Sequence, residues 1–172
     1  FGTPATGALW GSGGGKSIVF AKPSYQKLVS SPSKFRTVPD LALHMGGCPF
    51  GAVTPCGPDR SFDEAVVDGQ LEGLIGTSAA APDFAGLIAL KVQHDGARQG
   101  NVNYAIYAMA AAQDANAGPT VFHTGIPGSN GAYKTTAKGY NLVLGNGTLY
   151  GTAFLGALGV PVAGPPQSST NP

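Results

Sequence analysis

A mixed α/β fold is what the sequence predicts, on three observations. Leu71 to Ile75 is a short apolar run that leads directly into a helical pattern from Ser78 to about Gln93. A second helical pattern runs from about Asn103 to Gln113, with Ile106, Tyr107, Met109 and Ala110 on its inward face. Around both lie strand-like runs separated by turn residues, in a chain whose 42% hydrophobic content argues against disorder despite 27 glycines and 14 prolines. At 172 residues it is long enough for one mid-sized domain with a core of its own.

Residues 1–17 read as a glycine-rich entry loop holding the only tryptophan, Trp10. Gly11 to Ser17 has a superficial likeness to a phosphate-binding loop. The pattern G-x-x-x-x-G-K-[ST] needs a glycine where Trp10 stands, and Ile18 to Ala21 runs to Pro23 without opening a helix. Nucleotide binding is therefore not expected. Lys27 to Arg36 is polar and serine-rich, a surface loop. Thr37 to Leu43 reads as a buried strand with Pro39 near its start, where a missing N–H does least harm. Ala65 to Leu71 reads as a hairpin, because Asp68-Gly69 suits a type I′ turn.

The hairpin delivers the chain into Gly76-Thr77-Ser78-Ala79-Ala80-Ala81-Pro82. In the helix that follows, Phe84, Leu87, Ile88, Lys91 and Val92 share one face. Pro82 falls in its first turns, where its missing N–H costs least. A serine between a buried strand and a buried helix sits at the positive end of the helix dipole, beside unpaired N–H groups. Such a place suits a nucleophile and stabilises negative charge developing next to it. The alternative is that Ser78 only caps the helix.

Gly118 to Gly131 reads as a turn-rich loop. Tyr140 to Tyr150 reads as a strand region turned at Gly145-Asn146-Gly147. Beyond Val160 the chain becomes Pro/Ser-rich and loses pattern, as a linker does.

Charged residues make up only 11% of the chain and the net charge is +1, with no basic stripe. Binding to nucleic acid or to an anionic membrane has no electrostatic support. No apolar run reaches the roughly 18 residues of a membrane-spanning helix. The chain opens on Phe1 without a visible signal peptide and is read as a processed or excised piece of something longer. Cys48 and Cys56 lie in the Gly/Pro-rich loop from Met45 to Ser61; their spacing suits a small disulfide ring in an oxidising compartment, with free thiols as the alternative.

These stretches together resemble the C-terminal half of the sedolisin family, secreted serine-carboxyl peptidases with a subtilisin-like fold. Gly11 to Ser17 with Phe20 and Pro23 to Gln26 look like the family's glycine-rich segment and its Tyr-Gln string. Arg36 to Asp40 looks like the strand before the hairpin, and Gly76 to Pro82 like the nucleophile motif. Asn101 to Ala108 resembles an Asn…Leu-Tyr helix, and Gly128 to Gly131 with Gly139 to Asn141 the calcium-loop region. A plain subtilisin fits less well, since Asp83 follows Pro82 where a histidine is usual.

The resemblance implies a three-layer fold with a mostly parallel sheet, of which residues 1–162 supply the C-terminal part and residues 163–172 a tail. It implies that Ser78 is the acyl-forming nucleophile, supported by Gly76, Thr77 and Pro82. The glutamate base, its aspartate and an oxyanion aspartate lie in the family's N-terminal half, so an N-terminal chain of the same precursor is the expected partner and polypeptides the expected substrates. A carboxylate base suits acid conditions, where a histidine would be protonated and idle. The setting implied is extracellular. A non-catalytic secreted domain that keeps the fold is the alternative.

Two other patterns carry no chemistry. Glu64 and Asp68 have the spacing of a helical carboxylate pair, but fall on the hairpin. His44, His94 and His123 give no sign of the ordered partner that a triad needs. The calcium loop implied by the resemblance maps to Thr124, Gly125, Ala137, Gly139 and Asn141, with Thr124 and Asn141 standing where the family has carboxylates. Calcium binding is expected to be weak or absent.

Overall fold

The computed structural model describes residues 12–31, 33–44, 63–74 and 76–159. Strand β1 (Gly15–Ala21) pairs antiparallel with β2 (Phe35–Val38), the register slipping between Lys16 and Ala21. A 3-10 turn, Ser24–Leu28, lies in the link and buries Tyr25 and Gln26. The strand expected from Thr37 to Leu43 thus lies earlier in sequence, and it takes in the end of the stretch expected to be loop. The reason is Pro39, which follows a cis Val38–Pro39 peptide and has no N–H to continue the ladder.

Strands β3 (Asp63–Val67) and β4 (Gln70–Leu74) form the expected hairpin, paired from Asp63↔Leu74 to Val67↔Gln70. Asp68 and Gly69 take φ of 51° and 78°, the two left-handed positions of a type I′ turn. The apolar run Leu71 to Ile75 is expected to be a buried strand; Ile75 lies outside the described residues. Every residue of β4 is exposed instead, while β3 is partly buried at Asp63 and Ala65.

Helix α1 (Thr77–Asp95) stops at Gly96, whose left-handed φ of 67° lets its N–H reach the Val92 carbonyl. The expected face is the less exposed one: Phe84, Leu87, Ile88 and Lys91 are half-buried, whereas Val92 and the rest of the helix beyond Ala79 and Ala80 are largely in solvent. A fully buried helix does not form among the described residues. Helix α2 (Asn103–Asp114) is the better buried of the two, and it turns Ile106, Tyr107 and Ala110 inward as its periodicity predicted.

After α2 the chain forms β5 (Phe122–His123), β6 (Thr148–Leu149) and α3 (Gly151–Ala157), with β5 and β6 antiparallel. One parallel bridge, Ala42↔Thr148, ties the segment after Pro39 to β6. The architecture is mixed α/β, and the described sheets are antiparallel pairs. The mostly parallel sheet implied by the resemblance is not formed among the described residues.

The core gathers around α2. Ile106, Tyr107 and Ala110 pack with Tyr25, Val121, Phe122, Tyr140, Leu142 and Phe154. Tyr107 is fully buried and has ring neighbours on two sides, Tyr25 at 5.1 Å and Tyr140 at 6.0 Å between centroids. Phe84 joins α1 to this core through Phe154, at 6.0 Å.

Candidate active site

The start of α1 is built on backbone geometry that only glycine takes easily. Gly76 holds φ 93° and ψ −177°, and the helix begins at the next residue. Ala79 N–H and Ala80 N–H both reach the Gly76 carbonyl, at 3.0 and 3.3 Å. The amides of Thr77 and Ser78 lie ahead of these first bonds, where helix N–H groups have no intrahelical acceptor. Gly76 is the N-cap, and no side chain caps the helix. Ser78 is the second helical residue, exposed, and does not serve as the cap.

Pro82 sits deeper than the sequence suggested. As the sixth residue of α1 it lies beyond the four N–H groups that lack partners in any helix, so its missing N–H deprives a carbonyl of its bond. The carbonyl four residues earlier is that of Ser78. The helix runs on unbroken, with its ladder opened at the serine.

Ser78 and its neighbours Gly76 and Thr77 line a cavity of about 750 Å³. The opposite contributions come from Pro39 to Leu43, from Asn103 and Ile106 of α2, and from Ser12, Gly13 and Val143. Asp40 is the charged residue in this lining. Both of its oxygens are engaged: Tyr107 donates to Oδ1 at 2.8 Å, and Arg36 pairs with Oδ2. Burial works against the Arg36 charge, but the hydrogen bond and charge of Asp40 outweigh it, so the guanidinium pKa lies above its ordinary value. Burial also pushes the Tyr107 and Tyr140 phenols up, keeping both neutral donors.

The Asp40 backbone is held as firmly. Asn146 donates to its carbonyl from N and from Nδ2, at 2.9 and 2.8 Å. Tyr140 donates to the Pro39 carbonyl at 3.0 Å, and Ala42 N–H bonds the Gly147 carbonyl at 3.0 Å. Beneath these lies Gln26, fully buried, whose Nε2 donates to the Thr37 carbonyl and to Tyr107 Oη, both at 2.7 Å. Its Oε1 accepts from Thr37 N–H at 3.0 Å. The motif residues Gln26, Arg36, Asp40 and Tyr107 were each visible in the sequence; that they meet was not.

The histidines have neighbours that the sequence did not reveal. His44 Nδ1 lies 3.6 Å from Asp63 Oδ1, His94 Nδ1 lies 2.8 Å from Asp95 Oδ1, and His123 stacks on Tyr150 at 3.5 Å. None of the three lines the Ser78 cavity. Glu64 lies in β3 and Asp68 in the turn, both exposed, so their spacing does not place them on one helix face. Cys48, Cys56 and the 163–172 tail lie outside the described residues.

The residues of the calcium-loop region come together, but their donors do not fit calcium. Gly125 packs so closely on the Ala137 carbonyl that a Cβ there would stand 2.6 Å from its oxygen. Asn141 Oδ1 accepts the N–H groups of Val143 and Leu144, at 3.0 and 2.9 Å, and so is committed to its own turn. Thr124 brings no charge. Lys138, between Ala137 and Gly139, sets its ammonium on the Asp114 carbonyl at 2.6 Å. Among the described residues the loop offers backbone carbonyls and the Asp114 carboxylate, which lies beside Gly139 with Lys138 as its charged neighbour, whereas calcium takes several anionic oxygens.

The site is thus that of a mixed α/β chain with an exposed serine at a glycine-capped helix start, lining a cavity. No family model matches the chain. It is similar to curated peptidases: sedolisin of Pseudomonas sp. (strain 101), at 37% identity over 90 residues, 51% of this chain and 13% of the relative. Xanthomonalisin of Xanthomonas sp. (strain T-22) is 42% identical over 81 residues, 47% of this chain and 8% of the relative. Kumamolisin of Bacillus sp. (strain MN-32) is 32% identical over 126 residues, 69% of this chain and 19% of the relative. The chain is a stretch of sedolisin-family sequence, spanning less than a fifth of each of these relatives.

Proposed function

We propose that this chain is the nucleophile-bearing part of a secreted, acid-active serine-carboxyl endopeptidase. Ser78 Oγ would attack the scissile carbonyl and give its proton to a glutamate supplied by the family's N-terminal part, where an orienting aspartate and an oxyanion aspartate also reside. The amides at the start of α1 would add to the stabilisation of the tetrahedral anion. As the intermediate collapses, the glutamic acid would pass that proton to the leaving amine; the regenerated carboxylate would then take a proton from water, which attacks the Ser78 ester, and return it to Ser78 Oγ. The observation that carries this reading is Ser78 itself, exposed on the cavity at the glycine-capped helix start and free of any capping duty.

Exposed apolar surface supports a tightly held partner. Ile18, Val19 and Phe20 of β1 are 90%, 74% and 71% exposed, and Val66 and Leu71 of the hairpin are 73% and 66% exposed. Covering such faces with the N-terminal part of the same precursor would complete a subtilisin-like, mostly parallel sheet. The test is Ser78→Ala in the full precursor, assayed on an internally quenched peptide between about pH 3 and pH 8. Loss of hydrolysis with folding retained supports the reading, and an unmodified protein without hydrolysis anywhere in that range sinks it. In that event the calcium-loop substitutions favour the second reading, a non-catalytic binding or structural domain.

A further inference from the structure

Three stretches of the chain, the third some 67 residues beyond the second, meet in one hydrogen-bonded cluster beside the Ser78 cavity. Gln26 comes from the 3-10 turn, Arg36 and Asp40 from β2 and the segment after it, and Tyr107 from α2. We infer that Asp40 and Tyr107 are positioning residues for the reaction at Ser78, holding the Pro39–Leu43 wall of the cavity in register with the start of α1. The inference rests on the peptidase reading above.

The geometry favours a rigid wall over a merely filled core. Tyr107 Oη is the link between two layers: it accepts from Gln26 Nε2 at 2.7 Å and donates to Asp40 Oδ1 at 2.8 Å. The same helix lines the cavity through Asn103 and Ile106, so one element holds the wall and faces the serine's cavity. Gln26 and Tyr107 are both fully buried, and a buried network whose members are satisfied fixes one arrangement of the backbone it binds. Asp40 has Tyr107 on one oxygen and Arg36 on the other, so its side chain is fixed from two sides. Its part is placement. A displacement of about 1 Å in an active site can cost on the order of a hundredfold in rate.

The experiment compares Tyr107→Phe, Asp40→Asn and the double variant in the full precursor, with Tyr104→Phe as a control on the same helix. Hydrolysis of an internally quenched peptide is followed well below each melting temperature. The expected result is a fall in kcat of roughly tenfold for Tyr107→Phe with KM little changed, and none for Tyr104→Phe. The double variant should lose no more than the worse single one, as for two residues acting through one contact. Faster amide exchange at Leu41 to Leu43 in Tyr107→Phe should accompany the loss. Unchanged kcat and unchanged exchange in both single variants, beside an active parent, would overturn the inference alone. A parent that hydrolyses nothing overturns the peptidase reading and this inference with it.

Discussion

Asn146 holds the Asp40 carbonyl with two donors, its backbone N–H at 2.9 Å and its side-chain Nδ2 at 2.8 Å. The side chain is only 2% exposed, although Asn146-Gly147-Thr148 is a glycosylation sequon. A glycan on Nδ2 has no room at so buried a position without displacing what packs around the contact with Asp40. Expressed through a eukaryotic secretory pathway, the folded protein is expected to carry no glycan at Asn146, which peptide mapping by mass spectrometry checks. Full occupancy in folded material would show that this contact is dispensable. Asn146→Ala should cost about 1–3 kcal/mol in urea unfolding, since it removes a buried donor and leaves a void.

Gln26 supplies both donor and acceptor to Thr37, and a donor to Tyr107. Leucine would fill much of the same space and satisfy none of these groups. Gln26→Leu should therefore destabilise by about 2–4 kcal/mol, more than an exposed polar-to-apolar change, which usually falls within about half a kcal/mol. Chemical denaturation of the two proteins side by side decides it.

Calcium should add little to stability. Asn141 Oδ1 is turned onto Val143 and Leu144, the Lys138 ammonium sits on the Asp114 carbonyl, and the Asp114 carboxylate beside Gly139 is too little anionic charge for it among the described residues. Melting temperatures in EDTA and in millimolar calcium are expected to coincide. Calorimetric titration showing micromolar or tighter binding would refute this.

Asp95 at the end of α1 makes stability sensitive to acid. Its pKa is lowered, first by the hydrogen bond from Lys91, then by those from His94 and Gln99. A carboxylate whose folded pKa lies below its ordinary value of 3.8 stabilises the folded state above that value and loses the contribution as pH falls through the lowered pKa. Asp95→Asn should be less stable than the parent at pH 7, and the gap should narrow steadily below about pH 4. An equal gap at both ends of the range would assign the effect to something other than the charge.

Local signals in the sequence survived where the backbone alone decides the outcome. Asp68-Gly69 dictated its turn because two successive left-handed residues admit little else, and the inward face of α2 followed from its period. Burial was less legible. The run Leu71 to Ile75 reads as a buried strand, yet Leu71 to Leu74 is exposed, since composition states what a segment could bury against and not whether that cover is present. The candidate site was half legible in the same sense. Gly76 and Ser78 are neighbours in sequence, so their junction could be read directly, whereas Asp40 meets Tyr107 across 67 residues and Asn146 across 106. Contacts at that separation leave no periodicity behind, only motif residues without an evident local purpose.

Strand β1 has a practical consequence for anyone handling the chain by itself. Ile18, Val19 and Phe20 form an uninterrupted β-favouring triplet in β1, where its register on β2 breaks, with solvent over their side chains. Such an edge recruits like strands from other molecules. Produced by itself, the chain should go to inclusion bodies or chaperones, and its yield of dispersed protein should rise when Val19 is replaced by lysine.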